Sequence, residues 1–232
     1  MTLERHDFDD RILLAKALAD AVAADIMAAL TTSGVASIAV SGGTTPAKFF
    51  SQLSKHKEID WTKVYVTLVD ERWVDETSPR SNAALVNEKM LQGPAAVAHF
   101  VPLYSGGDEP DAEAIARTNR AIETLPRHYA AVLLGMGNDG HTASFFPGGD
   151  TLREALLGEG PALAIHAPGA GEARVTQVLR RLLDTNGLYL QIEGEEKAAT
   201  LAQALGDGPV EDMPIRAVLR QQSKPLQIYW SP

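Results

Sequence analysis

"LLGMGNDGHTASFFPGG", residues 133–149, opens with a Gly-x-Gly-x-x-Gly spacing at Gly135, Gly137 and Gly140. A dinucleotide-binding fingerprint needs a strand before its first glycine and a helix opening at its last. The apolar run Ala130–Leu134 supplies the strand. Pro147, Gly148 and Gly149 stop any helix within a turn or two. The fingerprint also normally opens its fold, whereas this copy lies past the middle of a 232-residue chain. The spacing is therefore not a cofactor signal, and no cofactor is expected. What remains is Asp139, Gly140 and His141 on a flexible turn at the carboxyl end of a strand. That pair suits a general base oriented by a carboxylate.

Outward from this strand, short apolar runs alternate with helical patterns. Strands are expected at Ser37–Val40, Val64–Val69, Ala130–Leu134, Leu163–His166, Leu188–Glu193 and Leu226–Trp230. Their near-continuous apolarity suits parallel strands covered on both faces. The first helix carries Leu14, Leu18, Val22, Ile26 and Leu30 every four residues, with Asp9 or Asp10 as its cap. Further helices are expected at Thr45–Gln52, Asn82–Leu91, Asp111–Thr124, Arg174–Asp184, Glu195–Leu205 and Pro214–Gln221. The alternation implies an α/β fold: a Rossmann-like three-layer sandwich with a mostly parallel sheet and helices on both faces. The Gly- and Pro-rich segments 105–111 and 166–173 are too short to be interdomain linkers, so residues 1–232 are read as a single domain.

Composition narrows the function. The 232 residues are 45% hydrophobic and 22% charged, ordinary values for one sizeable globular domain. There is no cysteine, which excludes disulfides, thiolate metal sites and a cysteine nucleophile. Charges in "MTLERHDFDDR" come too early for a secretory leader, and no apolar run approaches the roughly 20 residues of a membrane span. A cytoplasmic protein is expected. The net charge of -9 argues against a general grip on nucleic acid. An anionic ligand would have to be held by a few local cations.

Ligands of such folds bind beyond the carboxyl ends of the strands. After the first strand comes "SGGTTP". Ser41, Gly42 and Gly43 let the backbone approach a ligand closely, and Thr44 or Thr45 is placed to cap the next helix before Pro46. The stretch is one residue short of a Gly-x-Ser-x-Gly nucleophile elbow, with Ala39 in place of the first Gly, and paired glycines after the serine suit an anion better. The second strand ends in "VDERWV", where Asp70, Glu71 and Arg72 emerge together. Burying three charges is costly unless they pair or meet a ligand. Ser81 is placed to cap the following helix, and Asn82 to point an amide toward the same crevice. Arg174 follows the second glycine-rich loop. Lys197 sits in the first turn of a helix, where it opposes the dipole and hints at an anionic partner.

Taken together, "SGGTTP", "VDERWV" followed by "SN", "LLGMGNDGHTASFFPG" and "GEEK" resemble the 6-phosphogluconolactonase family, within the wider group that includes glucosamine-6-phosphate deaminases. The pieces come in the family's order and spacing and cover nearly the whole chain. The resemblance implies hydrolysis of 6-phospho-D-glucono-1,5-lactone to 6-phosphogluconate in the oxidative pentose phosphate pathway, without metal or nucleotide. It implies that His141 activates water, that Asp139 orients His141, and that Arg72, or backbone amides near Gly140, meets the oxyanion. It further assigns Ser41–Thr44, Arg174 and Lys197 to the phosphate, and places Asp70, Asn82 and Gly140 at the substrate. A monomer acting on a sugar-phosphate lactone is expected, with no nucleic-acid or membrane partner. The deaminase branch instead carries a Glu five residues after the His, where this chain has Phe146, and an aromatic where it has Arg72. A non-catalytic sugar-phosphate sensor would keep the phosphate residues without needing His141.

Overall fold

The computed structural model describes residues 3–232. The first third runs β1 (Leu3–Asp7), α1 (Arg11–Ser33), β2 (Ala36–Val40), α2 (Ala47–Leu53), β3 (Val64–Leu68), β4 (Asp70–Arg72) and α3 (Asn82–Lys89). Next come β5 (His99–Val101), α4 (Ala112–Glu123), β6 (Tyr129–Leu134), α5 (Leu152–Leu157), β7 (Ala162–Ile165), β8 (Arg174–Gln177) and α6 (Leu179–Leu182). The chain ends with β9 (Thr185–Glu193), α7 (Glu195–Leu205), α8 (Ile215–Arg220) and β10 (Leu226–Ser231).

Seven strands form one sheet in the order β1-β10-β9-β6-β2-β3-β5, and every pairing in it is parallel. Every residue of β2 and β6 is buried, so both faces of the sheet are covered there. α1 packs across β2, β6, β9 and β10 through Leu14, Leu18, Val22 and Ile26, all buried. Asp10 caps it, accepting from the amides of Ile12 (2.7 Å) and Leu13 (2.9 Å), and Gly34 ends it at φ 74°. The expected α/β class and parallel sheet are what the chain adopts.

The order places the site. From β2 the chain proceeds outward to β3 and β5, then returns to the other side of β2 as β6. Such a reversal leaves a crevice at the carboxyl ends of the two strands. Val40 lies level with both Leu68 and Leu133, so the chain leaves β2 at Ser41 and β3 at Val69 at one height, beside the end of β6.

Several expectations are corrected. Arg174–Asp184 is not a helix: Arg174–Gln177 is a strand and only Leu179–Leu182 is helical. The segment expected at Leu163–His166 does form a strand, but not a parallel one. It pairs antiparallel with β8 in a separate three-stranded sheet, β4-β8-β7. Asp70–Arg72, read as the end of a strand, is the third member of that sheet. The edge strands β1 and β5 and the short α5 were not anticipated. Neither Thr44 nor Thr45 caps α2, which starts after Pro46 without a side-chain cap.

Candidate active site

A cleft of about 430 Å³ opens at the crevice. It is lined by Ser41, Gly42, Gly43, Thr44, Asp70, Arg72, Asn82, His141, Arg174 and Lys197. Residues from six segments far apart in sequence thus meet in one place. Asp139 and Gly140 do not line it. Both stand behind His141, Gly140 packed against Met213 at φ 78°. A wider concavity of about 780 Å³, lined by Arg127, Glu159, Arg180 and Asp184 among others, gathers none of the residues singled out by sequence. Size alone therefore does not mark the site; its chemistry does.

The Asp-Glu-Arg run divides by strand alternation. Asp70 and Arg72 face the cleft, while Glu71 turns the other way and is fully buried. Glu71 is a structural anchor. Its carboxylate accepts from the amides of Asn82 (2.8 Å), Ala83 (2.7 Å) and Arg72 (2.8 Å) and from the Ser81 hydroxyl (3.1 Å). Ser81 itself caps α3 through Ala84 at 3.2 Å, as its position suggested. Burial pushes the Glu71 carboxyl up, against the downward pull of those amides. Asp70 accepts from the Ser144 hydroxyl at 2.5 Å, which ties β4 to the histidine loop.

Asn82 donates to the Asp70 carbonyl at 3.0 Å and lies tight against Gly42. A Cβ on Gly42 would fall 1.9 Å from the Asn82 side-chain oxygen, so only glycine fits. Ser41 is no free nucleophile. Its hydroxyl donates to the Leu133 carbonyl and accepts from the Gly135 amide, both at 3.0 Å, lacing together the turns after β2 and β6.

The histidine loop has a defined polarity. His141 Nδ1 lies 2.6 Å from Asp139 Oδ1, and the same oxygen accepts from the His141 amide at 3.1 Å. Burial raises the Asp139 carboxyl, but the hydrogen bonds and charge of His141 outweigh it and hold the group below its ordinary range. An ionised Asp139 requires the proton on Nδ1, which leaves the Nε2 lone pair as the basic site. Phe146 packs on the imidazole with ring centroids 4.3 Å apart. Gly137 has a specific reason to be glycine: a Cβ there would meet the imidazole at 2.2 Å and Asp139 at 2.5 Å. The opening glycine pattern thus seats a histidine instead of a pyrophosphate.

Cations also line the cleft. The antiparallel register sets Arg72 directly across from Arg174, a like-charge pairing that costs energy unless something anionic comes between. Arg174 is buried, donates to the Ala170 carbonyl at 2.7 Å and lies over the Phe146 ring at 5.5 Å. Its burial lowers its pKa; Asp70 works in the opposite sense and Arg72 adds to the lowering. Arg72 donates to the Arg80 carbonyl. The Nε of each arginine is buried with no hydrogen-bond partner among the described residues. Burial likewise lowers Lys197, countered by the charges of Glu196 and Asp139.

The residue sequence reading missed is chiefly Arg80, which also lines the cleft. Its signal was a third arginine just before "SN". Gly169, Ala170 and Gln191 also belong to the lining, without a motif that would have flagged them. The backbone amides near Gly140, a rival oxyanion donor, are engaged within the turn: Gly140 donates to the Gly137 carbonyl at 3.1 Å, and His141 to Asp139.

The family model for glucosamine-6-phosphate isomerases/6-phosphogluconolactonase matches residues 9–230. The chain belongs to this family. Within the glucosamine-6-phosphate isomerase/6-phosphogluconolactonase family, it is 48% identical to a 6-phosphogluconolactonase of Rhizobium meliloti over 100% of both chains. It is 47% identical to one from Mesorhizobium japonicum, covering 97% of this chain and 94% of the relative. The crystal structure of a 6-phosphogluconolactonase from Shewanella baltica superposes with a TM-score of 0.96 at 38% identity, covering 99% of this chain and 98% of that one. Among the described residues of this family member, no helix is long and apolar enough to cross a membrane.

Proposed function

We propose that the cleft hydrolyses 6-phospho-D-glucono-1,5-lactone to 6-phospho-D-gluconate in the oxidative pentose phosphate pathway, in the cytoplasm and as a monomer. One observation carries the reading: a carboxylate-oriented imidazole faces a cleft where Arg72 and Arg174 each hold a buried Nε donor with no partner among the described residues. The names of the relatives support the substrate.

His141 Nε2 takes a proton from water as the water oxygen attacks the lactone carbonyl carbon. Asp139 holds the ring and stabilises the imidazolium that forms. Arg72 donates to the tetrahedral oxyanion, a contribution of about 10²–10³-fold where one such donor has been removed elsewhere. The oxyanion collapses, the bond to the ring oxygen breaks, and the imidazolium returns its proton to that oxygen. Water has then been added across the ester bond, and the new carboxylic acid ionises to solvent. Ser41–Thr44, Arg174 and Lys197 bind the phosphate, and Asp70, Asn82 and Gly137 shape the substrate pocket.

Phe146 argues against sugar isomerisation. Proton shuttling between adjacent carbons needs a second acid–base group, and here an apolar ring packs against the imidazole instead. The test follows loss of lactone generated in situ, against its spontaneous hydrolysis, for wild type and His141→Ala. Loss of a general base typically costs about 10²–10⁴-fold. Equal acceleration by both proteins would remove His141 from the mechanism. No acceleration by wild type would remove the lactonase reading.

A further inference from the structure

The mechanism leaves one cation at the cleft unused. Arg80 lies between β4 and α3 and lines the cleft beside Arg72. Its guanidinium forks onto Glu172, with one terminal nitrogen donating to Oε2 at 2.7 Å and Nε paired with Oε1. Glu172 belongs to the segment joining β7 to β8, whose Gly169 and Ala170 also line the cleft. Gly169 and Gly171 adopt φ 79° and 78° there, conformations that favour glycine. A Cβ on Gly171 would lie 3.3 Å from the Arg80 guanidinium, so the segment rests directly on that group.

The pair is well placed to change partners. The side chains of Arg80 and Glu172 are 55% and 28% exposed, and an ion pair so open to water holds weakly. A phosphate offers a guanidinium the same forked geometry with more charge. The Arg80 backbone is fixed separately, because its carbonyl accepts from Arg72. Its guanidinium can therefore exchange partners without disturbing Arg72.

We propose that Glu172 occupies Arg80 in place of a ligand anion, and that a phosphate entering the cleft displaces it, making Arg80 a third arginine of the anion site. Displacement frees Glu172 from Arg80, while the bond from Arg174 to the Ala170 carbonyl still holds the segment. The exchange swaps one ion pair for another and needs no covalent step. It rests on the functional reading above only in requiring that an anion enters this cleft.

The test titrates inorganic phosphate, at fixed ionic strength, into wild type, Glu172→Gln, Arg80→Ala and the double variant. Glu172→Gln is expected to tighten binding by about 3–10-fold and Arg80→Ala to weaken it by a similar factor, the range of one modest charged contact. In the Arg80→Ala background, Glu172→Gln is expected to have no effect. Unchanged or weaker binding by Glu172→Gln overturns the proposal. So does equal tightening with and without Arg80, which would be plain removal of a repelling charge, and so does a wild type that binds no phosphate. Lactone hydrolysis is measured on the same four proteins. Normal hydrolysis with a failed phosphate pattern sinks the exchange alone. The phosphate pattern without hydrolysis sinks the lactonase reading and leaves the exchange standing.

Discussion

Gly137→Ala isolates the geometry of the base from its chemistry. The variant keeps His141, Asp139 and every cation. The backbone at residue 137 is not in the left-handed region, so alanine brings no conformational penalty there. The cost is one of space. A Cβ normally keeps about 3.4 Å from its neighbours, and this one would stand 2.2 Å from the imidazole and 2.5 Å from Asp139. The ring must retreat by roughly 1 Å. It retreats with difficulty, because Phe146 packs on it at 4.3 Å. A misplacement of this size costs about 10²-fold in rate, while overpacking one methyl costs about 1–3 kcal/mol of stability. The assay measures kcat for lactone hydrolysis beside phosphate affinity and the unfolding midpoint. Expected is a kcat lower by about 10²-fold with phosphate affinity unchanged, since the anion-binding side chains lie on other segments. A folded Gly137→Ala protein with wild-type kcat would refute the seating of His141 by Gly137.

Asp139→Asn removes the negative charge that holds the proton on Nδ1 and stabilises the imidazolium, and kcat is expected to fall by about 10²–10⁴-fold with KM nearly unchanged. Glu71→Ala leaves the amides at the start of α3 unpaired; a loss of about 3 kcal/mol is expected, read as a midpoint lower by roughly 6–12 °C in thermal unfolding. The lowered pKa of Lys197 makes its charge disappear at a lower pH than that of an ordinary lysine. An anion favours the protonated form, so affinity for 6-phosphogluconate is expected to fall as pH rises through a range below 10.5. Lys197→Arg should flatten that limb in a calorimetric pH series, and a limb that persists would exclude Lys197 as its source.

Local chemistry made much of this protein legible before folding was considered. The four-residue repeat of α1 and its Asp10 cap act within a few residues, and the apolar runs of β2, β3, β6, β9 and β10 betray strands buried on both faces. Position after a strand was enough to single out the turns carrying Ser41, Arg72 and His141. Contacts between distant segments were not legible in this way. β4 and β8 are three and four residues long; β4 is a strand only because β8 lies beside it, about a hundred residues away in the chain, and β8 is held between β4 and β7. Nothing within Arg174–Asp184 announces that pairing, and its local pattern passes equally for a helix. The pairing decides what matters most at the site. It sends Asp70 and Arg72 into the cleft and Glu71 into the core, and it sets Arg174 across from Arg72. The sequence by itself determined the parallel sheet and the turns at its carboxyl end, because those follow from short-range periodicity and turn chemistry. Tertiary structure decided which charges face the ligand and which serve the fold, because that depends on register between strands that no local pattern encodes.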